Sequence, residues 1–250
     1  MSFPTHSTPC FTWHLPTDSL VFCAPALLLL GLTPDDLSAI LISHEHTDHT
    51  AGLATLLKHH PIPLYATGGT AFYLRPRLPQ LDSCLRLVFP GSSFSVGSAQ
   101  VTVFATSHDA GESVDYRVDC GDAAVGILTD TGFVPEPAAA ALTGVDLLVL
   151  ESNHDVEWLR SGPYPYSLKQ RILGQRGHLS NEDAAAFARR MAECGTRCIV
   201  LAHLSRENNT PQRALAVMET ALSGLDVTVE VAPRGELSAC YGAEVALCRK

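Results

Sequence analysis

The sequence has 250 residues, of which 46% are apolar; this suffices for one sizeable domain with a full core and argues against a disordered or repeat protein. Its formal net charge of −9 argues against a protein that coats nucleic acid or anionic membrane through bulk attraction, and leaves open a local basic patch. The apolar run at 20–30 contains a proline and is too short to cross a bilayer.

Two further features of composition concern the cellular compartment. No lysine or arginine precedes Lys58, so the positive segment of a secretory signal is missing and we expect a cytoplasmic protein. The eight cysteines are scattered without a paired framework, which favours reduced and mostly buried thiols.

The first 26 residues give few structural signals. They contain four prolines, and only residues 19–24 have the pattern of a strand. Thr33 precedes Pro34, Asp35 and Asp36, a sequence in which threonine caps a helix, proline takes its first position and the acids favour its positive end. We therefore predict a short helix here, followed by a buried strand at 39–43.

The remainder of the chain alternates between helical and strand patterns. The turn residues at 120–122 separate two strand patterns and predict a β-hairpin. Ser180 or Asn181 is suited to cap a helix that continues to about residue 193. The other predicted helices are 52–59, 69–74, 135–142 and 211–222, and the other predicted strands are 63–67, 85–89, 93–96, 100–106, 113–119, 123–129, 145–150, 197–202 and 227–231.

The stretch 43–49 (Ser-His-Glu-His-Thr-Asp-His) places three histidines and an aspartate directly after an apolar run. Alternate side chains of an extended or loop backbone share a face, so His44 and His46 can reach one ion while Asp48 and His49 turn toward a neighbouring one. Neutral imidazole and carboxylate are ligands for zinc, manganese and iron. The pattern therefore predicts a two-metal site; the alternative is a solvated polar turn that is rich in histidine.

Further candidate ligands follow strands elsewhere in the chain. His44, His108, Asp130, Glu151 and His203 all lie at the carboxyl ends of predicted strands. Loops at one edge of a sheet are where catalytic sites are usually built, so we expect these side chains to be gathered there. A lone histidine after a strand is more often an ordinary hydrogen-bonded residue, and the prediction rests on the five residues together.

The His-x-His-x-Asp-His spacing resembles that of the metallo-β-lactamase superfamily. Five further segments, 151–155, 162–169, 171–174, 177–181 and 202–209, resemble the YycJ/WalJ group of bacterial metallo-β-lactamase-fold hydrolases, and the resemblance covers about residues 27–235. It implies an α/β fold, an αββα sandwich in a single domain over 1–250, and a phosphodiesterase that uses a metal-bridging hydroxide. The best-known activity of the group is a 5′-to-3′ exonuclease on double-stranded DNA, with a link to DNA repair.

The resemblance also implies roles for individual residues. His44, His46 and His108 would bind a first metal, Asp48, His49 and His203 a second, and Asp130 would bridge them, with zinc or manganese as the two ions. The segment at 177–181 resembles the ribonuclease Z segment whose non-ligand histidine stabilises the transition state or protonates the leaving oxygen, which makes His178 a catalytic candidate beside Asp48. Glu151 would orient His178 and raise its pKa. The competing interpretation makes His178 a helix-entry residue without a chemical role.

Two features concern substrate and activity. Residues 159–180 contain Arg160, Lys169, Arg171 and Arg176 and no acidic residue, which suggests a strip that tracks a phosphate backbone; a solvated basic loop is the alternative. We expect Arg160, Lys169, Arg171 and Asn153 to contact substrate. Residues 1–26 lack the Gly/Ser-rich turn and the Asp-x-Gly of the family, so we expect the first sheet to be missing or altered at its N-terminal edge strands.

Three rival functions stay open on sequence grounds. One is hydrolysis of small, cyclic phosphodiesters, as in PhnP-type phosphodiesterases, and another is thioester or lactam hydrolysis. The third is a catalytically impaired homologue that binds metal. The sequence leaves open the metal, the choice between DNA and RNA, and the oligomeric state.

Overall fold

Two β-sheets and the helices around them make up the computed structural model, which describes residues 12–14, 19–21 and 33–233. In the first sheet, the two strands nearest the N-terminus pair antiparallel and the others pair parallel. Its strands, in spatial order, are β1 (Thr12–His14), β2 (Ser19–Val21), β3 (Leu37–Leu41), β4 (Leu64–Ala66) and β5 (Leu85–Leu87).

The second sheet is mixed, with a parallel half and an antiparallel half. Its strands, in spatial order, are β12 (Thr228–Val231), β11 (Cys198–Ala202), β10 (Leu147–Glu151), β9 (Ala123–Leu128), β8 (Val114–Cys120), β7 (Ala99–Ala105) and β6 (Ser93–Val96). Because β7 and β9 both pair antiparallel with β8, the strands β7, β9, β10 and β11 run in the same direction. Their carboxyl ends therefore meet at one edge of the sheet.

The helices are short, and four of the nine in the described part of the chain follow a residue whose side chain accepts a hydrogen bond from the first turn. They are α1 (Thr47–Thr50), α2 (Leu53–His59), α3 (Gly68–Leu74), α4 (Leu81–Cys84), α5 (Glu136–Leu142), α6 (Val156–Ser161), α7 (Tyr166–Ile172), α8 (Asn181–Glu193) and α9 (Pro211–Ala221). Among the described residues, none of these helices combines the length and apolarity needed to span a bilayer.

Packing of the apolar side chains defines four layers. Alternate residues of β3 point to opposite faces: Ala39 and Leu41 pack against β7 and β8 of the other sheet, whereas Ile40 packs toward α2 and α3. The other sheet packs one face against α5, α8 and α9, with Met191 and Met218 in the contact. This helix–sheet–sheet–helix order confirms the predicted αββα sandwich and the α/β class.

Most predicted elements are present with ends shifted by one or two residues. The strand predicted at 39–43 is Leu37–Leu41, and the helix predicted after Thr33 is a single 3₁₀ turn, Pro34–Asp36, in which the Asp36 carboxylate accepts hydrogen bonds from the backbone N and the Oγ1 of Thr33. Ser180, rather than Asn181, caps the helix at Asn181–Glu193, since its Oγ accepts from the backbone N of Asp183.

Some expectations are wrong or extend beyond the described residues. The alternative of a solvated basic loop at 159–180 is wrong for part of the stretch, because it contains the end of α6 and all of α7. The strand predicted at 19–24 is described only over Ser19–Val21. The single-domain organisation over 1–250 and the altered N-terminal edge of the first sheet both stay predictions.

Candidate metal centre

The five residues predicted from strand ends come together at the shared carboxyl edge. His108 follows β7, Asp130 follows β9, Glu151 ends β10 and His203 follows β11. His44 arrives from the other sheet, three residues after the last residue of β3. Both sheets thus deliver polar side chains to one place, as the sequence predicts.

The first ligand group consists of His44, His46 and His108. Nε2 of His44 lies 3.0 Å from Nδ1 of His46, and one ring nitrogen from each of the three histidines lies within 4.8 Å of the others. His44 and His108 are buried. Three neutral imidazoles that converge in this way match the ligand preference of zinc and neighbouring transition metals.

The second ligand group consists of Asp48, His49 and His203, and their candidate ligand atoms also lie within 4.8 Å of one another. Asp130 lies between the two groups: its Oδ2 is 3.2 Å from Nε2 of His49, and its Oδ1 is 3.5 Å from Nε2 of His203 and 3.7 Å from Nε2 of His108. The structure thus brings all seven predicted ligands together, with Asp130 in a position to serve both groups.

Two observations test whether these residues fit a metal. The buried atoms His49 Nε2 and Asp130 Oδ2 face each other without hydrogen-bonding geometry, and neither has a hydrogen-bond partner. Unsatisfied buried polar atoms are rare and costly unless an ion or another ligand compensates them. Asp130 and His203 also have positive φ angles, 50° and 56°, a strained conformation for non-glycine residues that is typical of functional sites. The side chains present therefore fit divalent cations.

The electrostatics of the cluster keep its carboxylates ionised. Burial alone would raise the pKa of Asp130, but the positive charges of His203 and His49 hold it well below the usual range. Burial, together with repulsion from His49, lowers the pKa of His44 to about 2. Burial would also lower the pKa of His203, yet the negative charge of Asp130, the nearby carboxylate of Asp48 and the hydrogen bond to Glu151 raise it well above its ordinary value. Cations that bind here meet one neutral ligand, His44, and must displace a proton from another, His203.

Glu151 connects the cluster to His178. Its Oε1 accepts from Nδ1 of His178 at 2.8 Å and from Nδ1 of His203 at 2.7 Å, while its Oε2 accepts from the backbone N of Leu179 at 3.0 Å and of Thr131 at 3.2 Å. Each carboxylate oxygen thus has two donors, and the side chain has no exposed surface. Glu151 is therefore occupied in orienting the two histidines and is less suited to bind a metal itself.

A cavity of about 1090 Å³ opens over the cluster. Its walls include His46, Asp48, Asp130, His178 and His203, so both ligand groups and the Glu151-bound histidine face the same space. A volume of this size accommodates a substrate larger than a single small metabolite.

The predicted substrate contacts divide into two sets. Arg171 and Asn153 line the cavity, where Arg171 forms an ion pair with Asp109 and Asn153 Nδ2 donates to the carbonyl of His203. Lys169 and Arg160 do not line the cavity. Lys169 donates to the carbonyls of residues 160 and 162, both at 2.7 Å, and Arg160 pairs with Glu157 at 3.1 Å. The predicted basic strip therefore does not face the site as a unit.

Asp109 and Arg176 have structural roles that the sequence analysis did not assign. Nε2 of His108 lies 3.4 Å from Oδ1 of Asp109, whose other oxygen contacts Arg171. Arg176 donates through Nε to the carbonyl of His108, so this predicted member of the basic strip supports a ligand loop. The position of Asp109 directly after His108 was the only available signal.

Asn209 belongs to a buried polar network that joins three site loops. Its Nδ2 donates to the carbonyls of Ser152 and Asn153 and to Oδ1 of Asn181, at 2.8 to 3.1 Å. The loops that follow β10 and β11 and the first residue of α8 are thereby held to one another. Glu151 ends β10, His203 lies in the loop after β11, and His178 lies in the loop that leads into α8.

Comparison with known proteins gives concordant results. A family profile described as "Beta-lactamase superfamily domain" matches residues 13–204. The exodeoxyribonuclease WalJ of Streptococcus pneumoniae is 41% identical over 201 residues, which cover 79% of this chain and 75% of the relative. The exodeoxyribonuclease YycJ of Bacillus anthracis is 38% identical over 184 residues, which cover 73% of this chain and 70% of the relative.

A solved structure supports the fold independently of close sequence similarity. The metallo-β-lactamase fold protein YhfI of Bacillus subtilis superposes with a TM-score of 0.69, covering 92% of this chain and 90% of its own, at 20% identity. At this identity the likeness concerns the fold alone.

Proposed function

The chain belongs to the β-lactamase superfamily and, within it, to the family of the exodeoxyribonucleases WalJ and YycJ; from this premise we propose that it is a metal-dependent hydrolase that removes nucleotides from the 5′ ends of double-stranded DNA. The observation on which the proposal rests is the convergence of five histidines and two aspartates beside one cavity, whose wall includes His46, Asp48, His108, Asp130 and His203. The relatives carry the assignment of DNA as substrate.

Two divalent cations, zinc or manganese, are part of the proposal. His44, His46 and His108 would hold one and Asp48, His49 and His203 the other, with Asp130 between them. Only two of these ligands are anionic, so a site with both cations would retain positive charge and favour an anionic substrate such as a phosphodiester. When bound, the cations would act as Lewis acids on the phosphate and lower the pKa of a water molecule.

His178 supplies the proton in this proposal. Its Nδ1 is held by Glu151, so Nε2 is the nitrogen left to exchange a proton with a substrate in the cavity. Burial would lower the pKa of His178, but the negative charge and hydrogen bond of Glu151 raise it above its ordinary value. In its protonated form, His178 is suited to protonate the oxygen that leaves when the phosphodiester bond breaks.

Arg171 is the proposed contact to the phosphate backbone, with Asn153 as a second polar group in the cavity wall. Arg160 pairs with Glu157, and Lys169 donates to two backbone carbonyls outside the cavity. Of the three basic residues expected to contact substrate, we therefore propose only Arg171 at this site. A cytoplasmic location, consistent with a role in DNA repair, belongs to the same proposal.

Labelled duplex DNA tests the proposal and its polarity. With added manganese, a blunt duplex labelled at its 5′ end should release labelled mononucleotide from the earliest times, whereas a 3′-labelled duplex should first give progressively shortened strands. Cyclic nucleotides, incubated in parallel, represent the rival class of small phosphodiesters. Turnover of a cyclic nucleotide without nucleotide release from either duplex would contradict the proposal and favour the rival.

A further inference from the structure

Two aromatic side chains stand exposed on α3, outside the cavity. Phe72 retains 67% of its accessible surface and Tyr73 51%, and their rings meet edge to face with centroids 5.3 Å apart. Large apolar side chains exposed as neighbours commonly mark an interaction surface. We call Phe72 and Tyr73 the aromatic platform.

The aromatic platform is joined to the loop that follows the metal ligand His108. A Cβ added to Gly111 would lie 2.7 Å from the ring of Tyr73, so the loop packs closely against the platform at this glycine. The backbone N of Gly111 donates to Oε1 of Glu45 at 2.8 Å, and Glu45 lies between the ligands His44 and His46. The platform is therefore continuous with the rim of the metal centre.

Arg77 adds positive charge beside the aromatic platform. Its side chain is exposed, its Nη2 donates to the carbonyl of Glu45 at 2.8 Å, and its Nε reaches the carbonyl of Tyr73 at 3.4 Å. Within the described part of the chain it has no carboxylate within ion-pair distance, whereas the nearby Arg75 is paired with Asp82. In a chain with a net charge of −9, an arginine without an acidic partner at the rim of the site favours an anionic ligand.

We infer that unpaired nucleotides of the substrate strand stack on Phe72 and Tyr73, with a phosphate beside Arg77. The inference rests on the proposed function. Exposed rings next to a cation match the two recurring parts of a nucleic-acid strand, flat bases and charged phosphates. Bases inside a duplex are stacked on both faces and present none to a protein ring, so the aromatic platform binds single-stranded nucleotides next to the site and not the interior of the duplex.

Binding of a circular single strand tests this inference separately from hydrolysis, because a circle offers no end to an exonuclease. Fluorescence anisotropy of a short, dye-labelled DNA circle would be measured with the metal-loaded wild type and with Phe72→Leu and Tyr73→Leu. We expect each leucine variant to raise Kd roughly fivefold or more, the lower end of the range for one base–aromatic stack. Tyr73→Phe, which keeps the ring, should bind like the wild type.

Two controls separate the platform from general damage. Phe89→Leu removes a ring that is 60% exposed beyond β5 and should leave Kd unchanged. Metal content, measured on each variant, reports whether the loop at 109–112 is still in place. Equal Kd for the wild type and both leucine variants would overturn the inference.

Nucleotide release, measured on the same preparations, distinguishes failure of the inference from failure of the proposed function. If the wild type releases nucleotides from duplex DNA but the wild type and both leucine variants bind the circle with equal Kd, only the inference about the platform is contradicted. If the leucine variants bind the circle more weakly but the wild type releases no nucleotides, the platform is supported and the proposed exonuclease activity is contradicted. A wild type that neither binds the circle nor releases nucleotides contradicts both.

Discussion

Replacement of Glu151 by glutamine keeps the shape of the side chain but removes its ability to accept hydrogen bonds at both ends of the carboxylate. The carboxylate accepts four hydrogen bonds, two from His178 and His203 and two from the backbone N–H groups of Leu179 and Thr131. A carboxamide has one acceptor oxygen and one NH₂ group that only donates. In either orientation of the amide, the NH₂ faces a pair of groups that are donors in the wild type.

The two orientations predict two distinct losses. If the NH₂ faces the backbone N–H groups, two buried hydrogen bonds are lost and their donors are left unsatisfied, at about 1–3 kcal/mol each and about 2–6 kcal/mol together. If the NH₂ faces the histidines, each ring must accept at Nδ1 and carry its proton on Nε2. Nε2 of His203 is the atom that points toward Asp130 and Asp48, so that proton blocks a predicted metal ligand and should weaken metal binding about 10- to 100-fold.

Urea unfolding of the metal-free protein and manganese titration of the folded protein together measure both losses. We expect the Glu151→Gln variant to lose about 2–6 kcal/mol of unfolding free energy, to bind manganese about 10- to 100-fold more weakly, or both. Nucleotide release should fall in either case. Glu136→Gln is the matched control: this exposed carboxylate pairs with Arg190 at the surface, and its replacement should change neither quantity measurably. A Glu151→Gln variant with wild-type unfolding free energy and wild-type manganese affinity would show that the site does not depend on the four hydrogen bonds of this carboxylate.

Three further predictions concern the loops around the site. An added Cβ at Gly177 would lie 2.1 Å from the carbonyl oxygen of Ile172, so Gly177→Ala should cost about 1–3 kcal/mol in urea unfolding, whereas Gly68→Ala, whose Cβ meets nothing closer than 3.9 Å, should stay within about 0.5 kcal/mol of the wild type. Arg171→Gln should make the plot of log K against log salt for duplex DNA less steep, by the amount that about one phosphate contact contributes, without loss of bound metal. An unchanged slope would exclude Arg171 from the DNA interface. Burial opposes charge on His203, but the surrounding carboxylates raise its pKa well above the ordinary value, so a metal must displace its proton. Manganese affinity of the second ligand group should therefore rise up to about tenfold per unit of pH near neutrality, and calorimetry that finds no dependence would contradict this assignment.

The sequence predicts the clustering of the candidate ligands well because its signals are local and periodic. An apolar run that ends in a histidine or aspartate marks both a buried strand and the residue at its edge, and this is how His108, Asp130 and His203 are found far from the His44 motif. Parallel strands then bring those ends together without further information.

The stretch between β10 and α8 is predicted poorly because its structure depends on contacts distant in sequence. The helix α6 has six residues and begins where Asp155 accepts from the backbone N of Trp158, and α7 begins after Pro165, so neither is long enough to show a helical period. Lys169 and Arg176 donate hydrogen bonds to backbone carbonyls, and the sequence does not predict these contacts either. Charge alone does not distinguish a cation in solvent from one that donates to the backbone.

The Asp130→Asn variant tests the central claim most directly, because asparagine keeps the size of the side chain and tolerates its left-handed backbone, and removes only the charge shared by the two ligand groups. The measurement is manganese-dependent release of nucleotides from 5′-labelled duplex DNA by the wild type and by Asp130→Asn, side by side. We expect release by the wild type and none above background by the variant. Equal release by both proteins would show that hydrolysis does not depend on the charge of Asp130.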